Sequence, residues 1–86
     1  MIMENQLKQF RDTIDKIDKN LFGLLEDRFE IVKKVGEYKK ENKLPARNKQ
    51  REQAIVTERI KTSKLEAEFI RGIYKLIFNK SYKIEK

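Results

Sequence analysis

Eighty-six residues, 38% of them hydrophobic and 41% charged, make one domain whose private core is small for a stable monomer, so self-association is the starting expectation. The chain has neither cysteine nor histidine, which excludes disulfide staples and thiolate chemistry, and removes the usual base near neutral pH and the commonest metal ligand. A net charge of +7 favours an anionic partner, whether nucleic acid, anionic membrane or a small polyanionic metabolite.

The opening Met1-Ile2-Met3-Glu4-Asn5 has no cationic region leading into an apolar run, and no uncharged stretch nears membrane-spanning length. Cytoplasmic residence without a membrane partner is the expectation. From Leu7 the apolar residues recur as Phe10, Ile14, Ile17, Leu21 and Leu24, then Ile31, Val35 and Tyr38, which predicts a first helix over about residues 5–41. Leu25, Phe29 and Val32 widen the stripe, so this helix should touch more than one neighbour. Gly36 offers a place where another backbone can come close. At about 1.5 Å per residue the helix is roughly 55 Å long, too long for a compact domain of this size, and something outside the chain should cover it.

Glu41 to Arg47 reads as a loop around Pro45, which lacks a backbone donor and disfavours helix at Leu44. Asn48 is placed to cap a second helix over about 49–61, with Ala54, Ile55, Val56 and Ile60 as its apolar face. Ser63 to Glu66 fits a capping box that starts a third helix at about 64–84, with Phe69, Ile70, Ile73, Tyr74, Ile77 and Phe78 as its core face. No repeat or second domain is evident, and residues 1–86 read as a single all-α domain of one long and two shorter helices.

Following the stripe through Leu21, Leu25, Arg28, Val32, Val35 and Lys39 places two cations on an otherwise aliphatic face. Eleven residues separate Arg28 from Lys39, about 20° of helical rotation, so both point the same way and can flank one ligand. The alternative is that each snorkels, its stem on the apolar surface and its charge in water. Arg11 lies seventeen residues before Arg28, about 25 Å along the axis, so one chain cannot bring both to a small ligand. If two long helices pack antiparallel with residue 11 opposite residue 28 of the mate, the two-fold axis falls near Lys19 and Asn20, and the dimer carries two equivalent sites. Otherwise Arg11 is an ordinary surface arginine. The start of the second helix, Arg47 to Glu52, combines free amides, the positive end of the helix dipole and alternating donors and acceptors, which suits an anion carrying hydroxyls as well as an ordinary decorated first turn. Ser81 and Glu85, four apart, extend the face of Ile70, Ile77 and Phe78, where they line a cavity or mark a fraying end.

Nearly the whole chain resembles the all-α class of chorismate mutase in its short monofunctional form, enzymes that convert chorismate to prephenate on the route to phenylalanine and tyrosine. The residues carrying the resemblance are Leu7 to Asp18, Leu24-Leu25-Glu26-Asp27-Arg28, Val35-Gly36-Glu37-Tyr38-Lys39, Pro45, Arg47 and the Arg51-Glu52 pair, specific in their order and spacing. The resemblance implies an intertwined antiparallel homodimer of three-helix chains, without an appended regulatory or dehydratase domain. It implies that Arg11 of one subunit and Arg28 of the other bind the substrate carboxylates, assisted by Arg51 and Ser81. Glu52, with the backbone near Asn48, accepts from the ring hydroxyl, and Lys39 donates to the ether oxygen with Glu85 beside it. Such a rearrangement needs no base, nucleophile, metal or cofactor.

Two positions depart from the family pattern. Asn48 stands where many relatives have Asp, which preserves a backbone contact but removes a carboxylate contact to the hydroxyl. Glu85 stands where many have Gln, and only a protonated carboxyl can donate to the ether oxygen. The expectation is therefore an activity that declines as pH rises through titration of that carboxyl, and a Glu85→Gln variant with a flat profile; an unchanged profile in the variant removes Glu85 from the mechanism. Competing functions are an isochorismate-related lyase or mutase on the same scaffold, a basic module that binds nucleic acid or an acidic protein, and a coiled-coil adaptor in which Arg28 sets register. The second of these requires a one-sided cationic patch, whereas lysines here are spread among 14 acidic residues, so no nucleic-acid partner is expected.

Overall fold

The computed structural model describes residues 2–86, with side chains from Glu4 onward; Met1, which heads the N-terminal segment considered above, lies outside them. Three helices follow one another: α1 (Ile2–Glu41), α2 (Lys49–Thr62) and α3 (Ala67–Glu85), with no strand among the described residues. The chain divides into two units, Met1–Glu30 and Ile31–Lys86, with α1 running through the division.

The first unit is helix alone. Its apolar periodicity supplies the stripe, Glu4 in the first turn favours the positive helix end, and exposed Lys8 and Asp12 pair across one turn at 2.9 Å. Leu7, Phe10, Ile14, Ile17, Leu21 and Leu24 are all exposed, Phe10 by 61%. Leu25, Arg28 and Phe29 are half-buried.

The second unit is locked by specific caps. At the end of α1 the Lys43 amide bonds Lys40 O at 3.3 Å and the Leu44 amide bonds Lys39 O at 2.8 Å, the paired bonds of a Schellman turn. Lys43 takes the left-handed conformation this turn requires, with φ 56°, at a position usually held by glycine. Asn48 caps α2 as expected, its side chain accepting from the Arg51 amide at 3.0 Å.

The third helix starts later than the sequence suggests. Ser63 has extended backbone and closes α2, its amide bonding Arg59 O at 2.9 Å, while its hydroxyl accepts from the Leu65 amide at 3.1 Å. A serine spent on a turn two residues long cannot cap a helix three residues on, so the capping box does not form. Glu66 is the residue before the helix, extended at ψ 143° and without a side-chain capping bond.

Packing between α2 and α3 leaves Ile70 and Phe78 as the core, 3% and 8% exposed. Tyr74 stacks on Phe78 with ring centroids 5.0 Å apart, and Arg59 donates to the Tyr74 hydroxyl at 3.0 Å, tying α2 to α3. That hydrogen bond raises the Arg59 guanidinium above its ordinary range. Phe69 and Ile73, expected in the core, stay exposed because within this unit α3 has only α2 against that part of its surface. Gly36 is buried against the end of α3: a β-carbon there would stand 2.9 Å from the Glu85 Cα, so only glycine admits this approach.

Candidate active site

Lys39 lies in the last turn of α1, just before the Schellman turn folds the chain back through Pro45. That reversal brings the Ala46 carbonyl over the ammonium, where it accepts from Nζ at 3.1 Å. The close approach at Gly36 delivers Glu85 from α3, whose Oε1 accepts from the same Nζ at 2.5 Å. The side chains of Lys39 and Glu85 are 22% and 11% exposed, so the pair is held largely out of water. Three local features, a turn, a proline loop and a glycine contact, thus converge on one ammonium.

A second ionic group forms where α2 begins. Arg47 precedes the Asn48 cap, and Glu52 lies in the first turn of α2; residues so placed face one another, as in the hydrophobic staple, but here the contact is ionic. Arg47 Nε donates to Glu52 Oε2 at 3.0 Å and Nη2 to Oε1 at 3.1 Å. The Glu52 hydrogen bonds raise the guanidinium above its ordinary range, although burial opposes the shift. The Arg47 Cζ also lies 5.5 Å from the centre of the Tyr82 ring, which has Lys86 Nζ at 5.4 Å as well.

Lys39 and Glu85 are therefore in direct contact. Glu52, by contrast, bonds Arg47 and not its neighbour Arg51. Arg51 contributes its amide to the Asn48 cap and leaves its side chain exposed. The Asn48 side-chain oxygen is engaged by that cap. Ser81 is buried and donates back to Ile77 O at 2.8 Å. Arg11 is exposed and Arg28 half-buried, both in the unit Met1–Glu30. Arg47 belongs to the family pattern without an expected role, and Tyr82 and the Ala46 carbonyl lie outside the expected set. The spacing of Arg47 and Glu52 about a cap was the available signal for the first. Tyr82, one turn beyond Phe78 and one before Lys86, could be read as a face, whereas a backbone carbonyl leaves no trace in the sequence.

Between α2 and α3 lies an open groove of about 420 Å³, floored by Val56, Ile60, Tyr74 and Phe78 and reaching Arg47 and Glu52. Neither Lys39 nor Glu85 lines it. Among the described residues no three acidic side chains are placed to hold a metal ion, and no helix is long and apolar enough to cross a membrane.

Fold and site together define an all-helical domain whose polar machinery consists of an ammonium, guanidinium groups and carboxylates at the ends of its helices. The family profile described as chorismate mutase type II matches residues 10–86, and the chain belongs to this family. It is 34% identical over 89 aligned residues to the bifunctional chorismate mutase/prephenate dehydratase of Buchnera aphidicola subsp. Acyrthosiphon pisum, an alignment covering 100% of this chain and 23% of that protein. To the T-protein of Enterobacter agglomerans it is 33% identical over 86 residues, covering 96% of this chain and 23% of the relative. The bifunctional chorismate mutase/prephenate dehydratase of Aquifex aeolicus is 34% identical over 59 residues, 69% of this chain and 16% of that protein. The chain thus spans less than a quarter of the length of these relatives. No solved structure is significantly similar to it.

Proposed function

We propose that the chain is a chorismate mutase, rearranging chorismate to prephenate within one intertwined antiparallel homodimer. The observation that carries this reading is the state of Lys39. An ammonium has three N–H donors; one is committed to the Ala46 carbonyl and one to Glu85, which fixes the direction of the third. In the reaction the ether C–O bond breaks as a C–C bond forms at the far end of the enolpyruvyl arm, and negative charge grows on the ether oxygen. A donor already oriented towards that oxygen stabilises the charge without reorganising in the transition state. Glu85 serves by holding the ammonium, and when protonated can donate to the oxygen itself.

The remaining roles follow from charge and reach. Arg28 and the partner's Arg11 bind the two carboxylates, with Arg51 and Ser81 assisting, and so hold the flexible arm over the ring. Glu52 and the backbone at Asn48 accept from the ring hydroxyl. The exposed stripe from Leu7 to Leu24 supports the dimer: a second copy laid antiparallel across it supplies Arg11 and the missing core together. The reaction itself requires no cofactor.

The test is the loss of chorismate absorbance with purified protein, repeated with Lys39→Ala. Turnover by the wild type is expected, with kcat lowered about 10²–10³-fold in the variant, the usual cost of removing one such donor. A folded wild type without turnover sinks the reading.

A further inference from the structure

We propose that Arg47, backed by the Tyr82 ring, is a positioning residue that makes the site selective for a substrate bearing a ring hydroxyl. The inference rests on the chorismate mutase reading and adds to it a role for two residues outside the set assigned above.

Glu52 alone is a poor acceptor for a small ligand, because a glutamate has three rotatable bonds and its carboxylate can face many ways. Arg47 removes that freedom. Two parallel hydrogen bonds, 3.0 and 3.1 Å, fix the plane of the carboxylate as well as its position. Each Glu52 oxygen accepts one of them and keeps a second lone pair, so the clamp leaves the carboxylate able to receive a hydroxyl proton. Tyr82 in turn limits the clamp: with Cζ 5.5 Å from the ring centre, the guanidinium is held between the carboxylate of α2 and an aromatic side chain of α3. Tyr82 stands three residues before Glu85 on that helix, so the element that presents the partner of Lys39 also backs the clamp on Glu52. An arginine serving only to start α2 would have no need of Tyr82, since Asn48 already caps the helix.

The experiment compares kcat/KM on chorismate and on an analogue lacking the ring hydroxyl, in wild type, Arg47→Ala, Arg47→Lys, Tyr82→Leu and Tyr82→Phe, with thermal melts of each. Both Arg47 variants should lose about tenfold on chorismate and less than about twofold on the analogue, since lysine keeps the charge but not the fork. Tyr82→Leu should shift in the same direction by less, and Tyr82→Phe, which keeps the ring face, should behave as wild type. Equal losses on the two substrates, or none on either, overturn the positioning role. If Arg47→Ala does not fold, Arg47→Lys and Tyr82→Leu decide the matter. A wild type inactive on chorismate brings down the function reading itself, whereas an active wild type with equal losses in the variants brings down this inference alone.

Discussion

About two residues in five are charged in both Met1–Glu30 and Ile31–Lys86, but the first is net acidic and the second strongly basic, and they use their side chains in opposite ways. In the first, the apolar stripe from Leu7 to Leu24 is regular and exposed, and Lys8 pairs with Asp12 in the open. In the second, caps, an arginine fork, a half-buried ammonium and a glycine contact fix individual atoms. The difference separates two tasks. One stretch offers apolar area, which is non-directional; the other offers directional bonds, which fix individual atoms. Completing the burial of the six stripe residues from Leu7 to Leu24 is worth about 1 kcal/mol or more each, roughly 6–10 kcal/mol per chain, comparable with the whole stability of a small domain.

The largest expected effect therefore lies in the exposed stripe of the first segment. Changing Ile14 and Ile17 together to Asp should abolish self-association and, with it, most helical signal at micromolar concentration, read by sedimentation and circular dichroism; a variant that remains dimeric and folded breaks the comparison. Next comes a test of whether this segment also contributes to the site. Arg11→Ala and Arg28→Ala proteins, each inactive alone, should regain activity when mixed after full subunit exchange, because a heterodimer has one intact site of two. Random pairing sets the recovery at about a quarter of the wild-type rate. No recovery despite demonstrated exchange argues against a shared site.

The smallest effects come from one substitution made on each side of the division. Nothing within 4 Å of Gly23 resists an added methyl, so Gly23→Ala should stabilise by up to about 1 kcal/mol through helix propensity. At Gly36 the same methyl meets the backbone of Glu85 at 2.9 Å. Gly36→Ala should forfeit that gain and lower activity by displacing Glu85 from Lys39, with melting curves and kcat as the readouts. Equal stabilisation at both positions would falsify the close packing of Glu85 on α1.

Several site features were legible in the chain because they depend on spacing along it. The long helix, the cap at Asn48, the close approach at Gly36 and the unusual cation at Lys39 all follow from periodicity or from the backbone chemistry of single residues. The partner of Glu52, Arg47, is equally local. Arg51 and Glu52 are adjacent in sequence, but adjacent residues on a helix point about 100° apart, whereas a residue before the cap meets one in the first turn. The start of α3 is not legible in the sequence, because a serine that can cap a helix can also close a turn, and nothing in four letters decides which.

What the sequence determined by itself is an all-helical chain with more apolar stripe than it can bury alone, and membership of its family is written in the same pattern. Only the tertiary structure decided which acceptors hold Lys39 and which ring backs Arg47. Helix periodicity is a property of neighbours along the chain, whereas contacts between elements depend on how a turn at Lys43, a close approach at Gly36 and the face of Tyr82 bring together atoms that are distant in sequence.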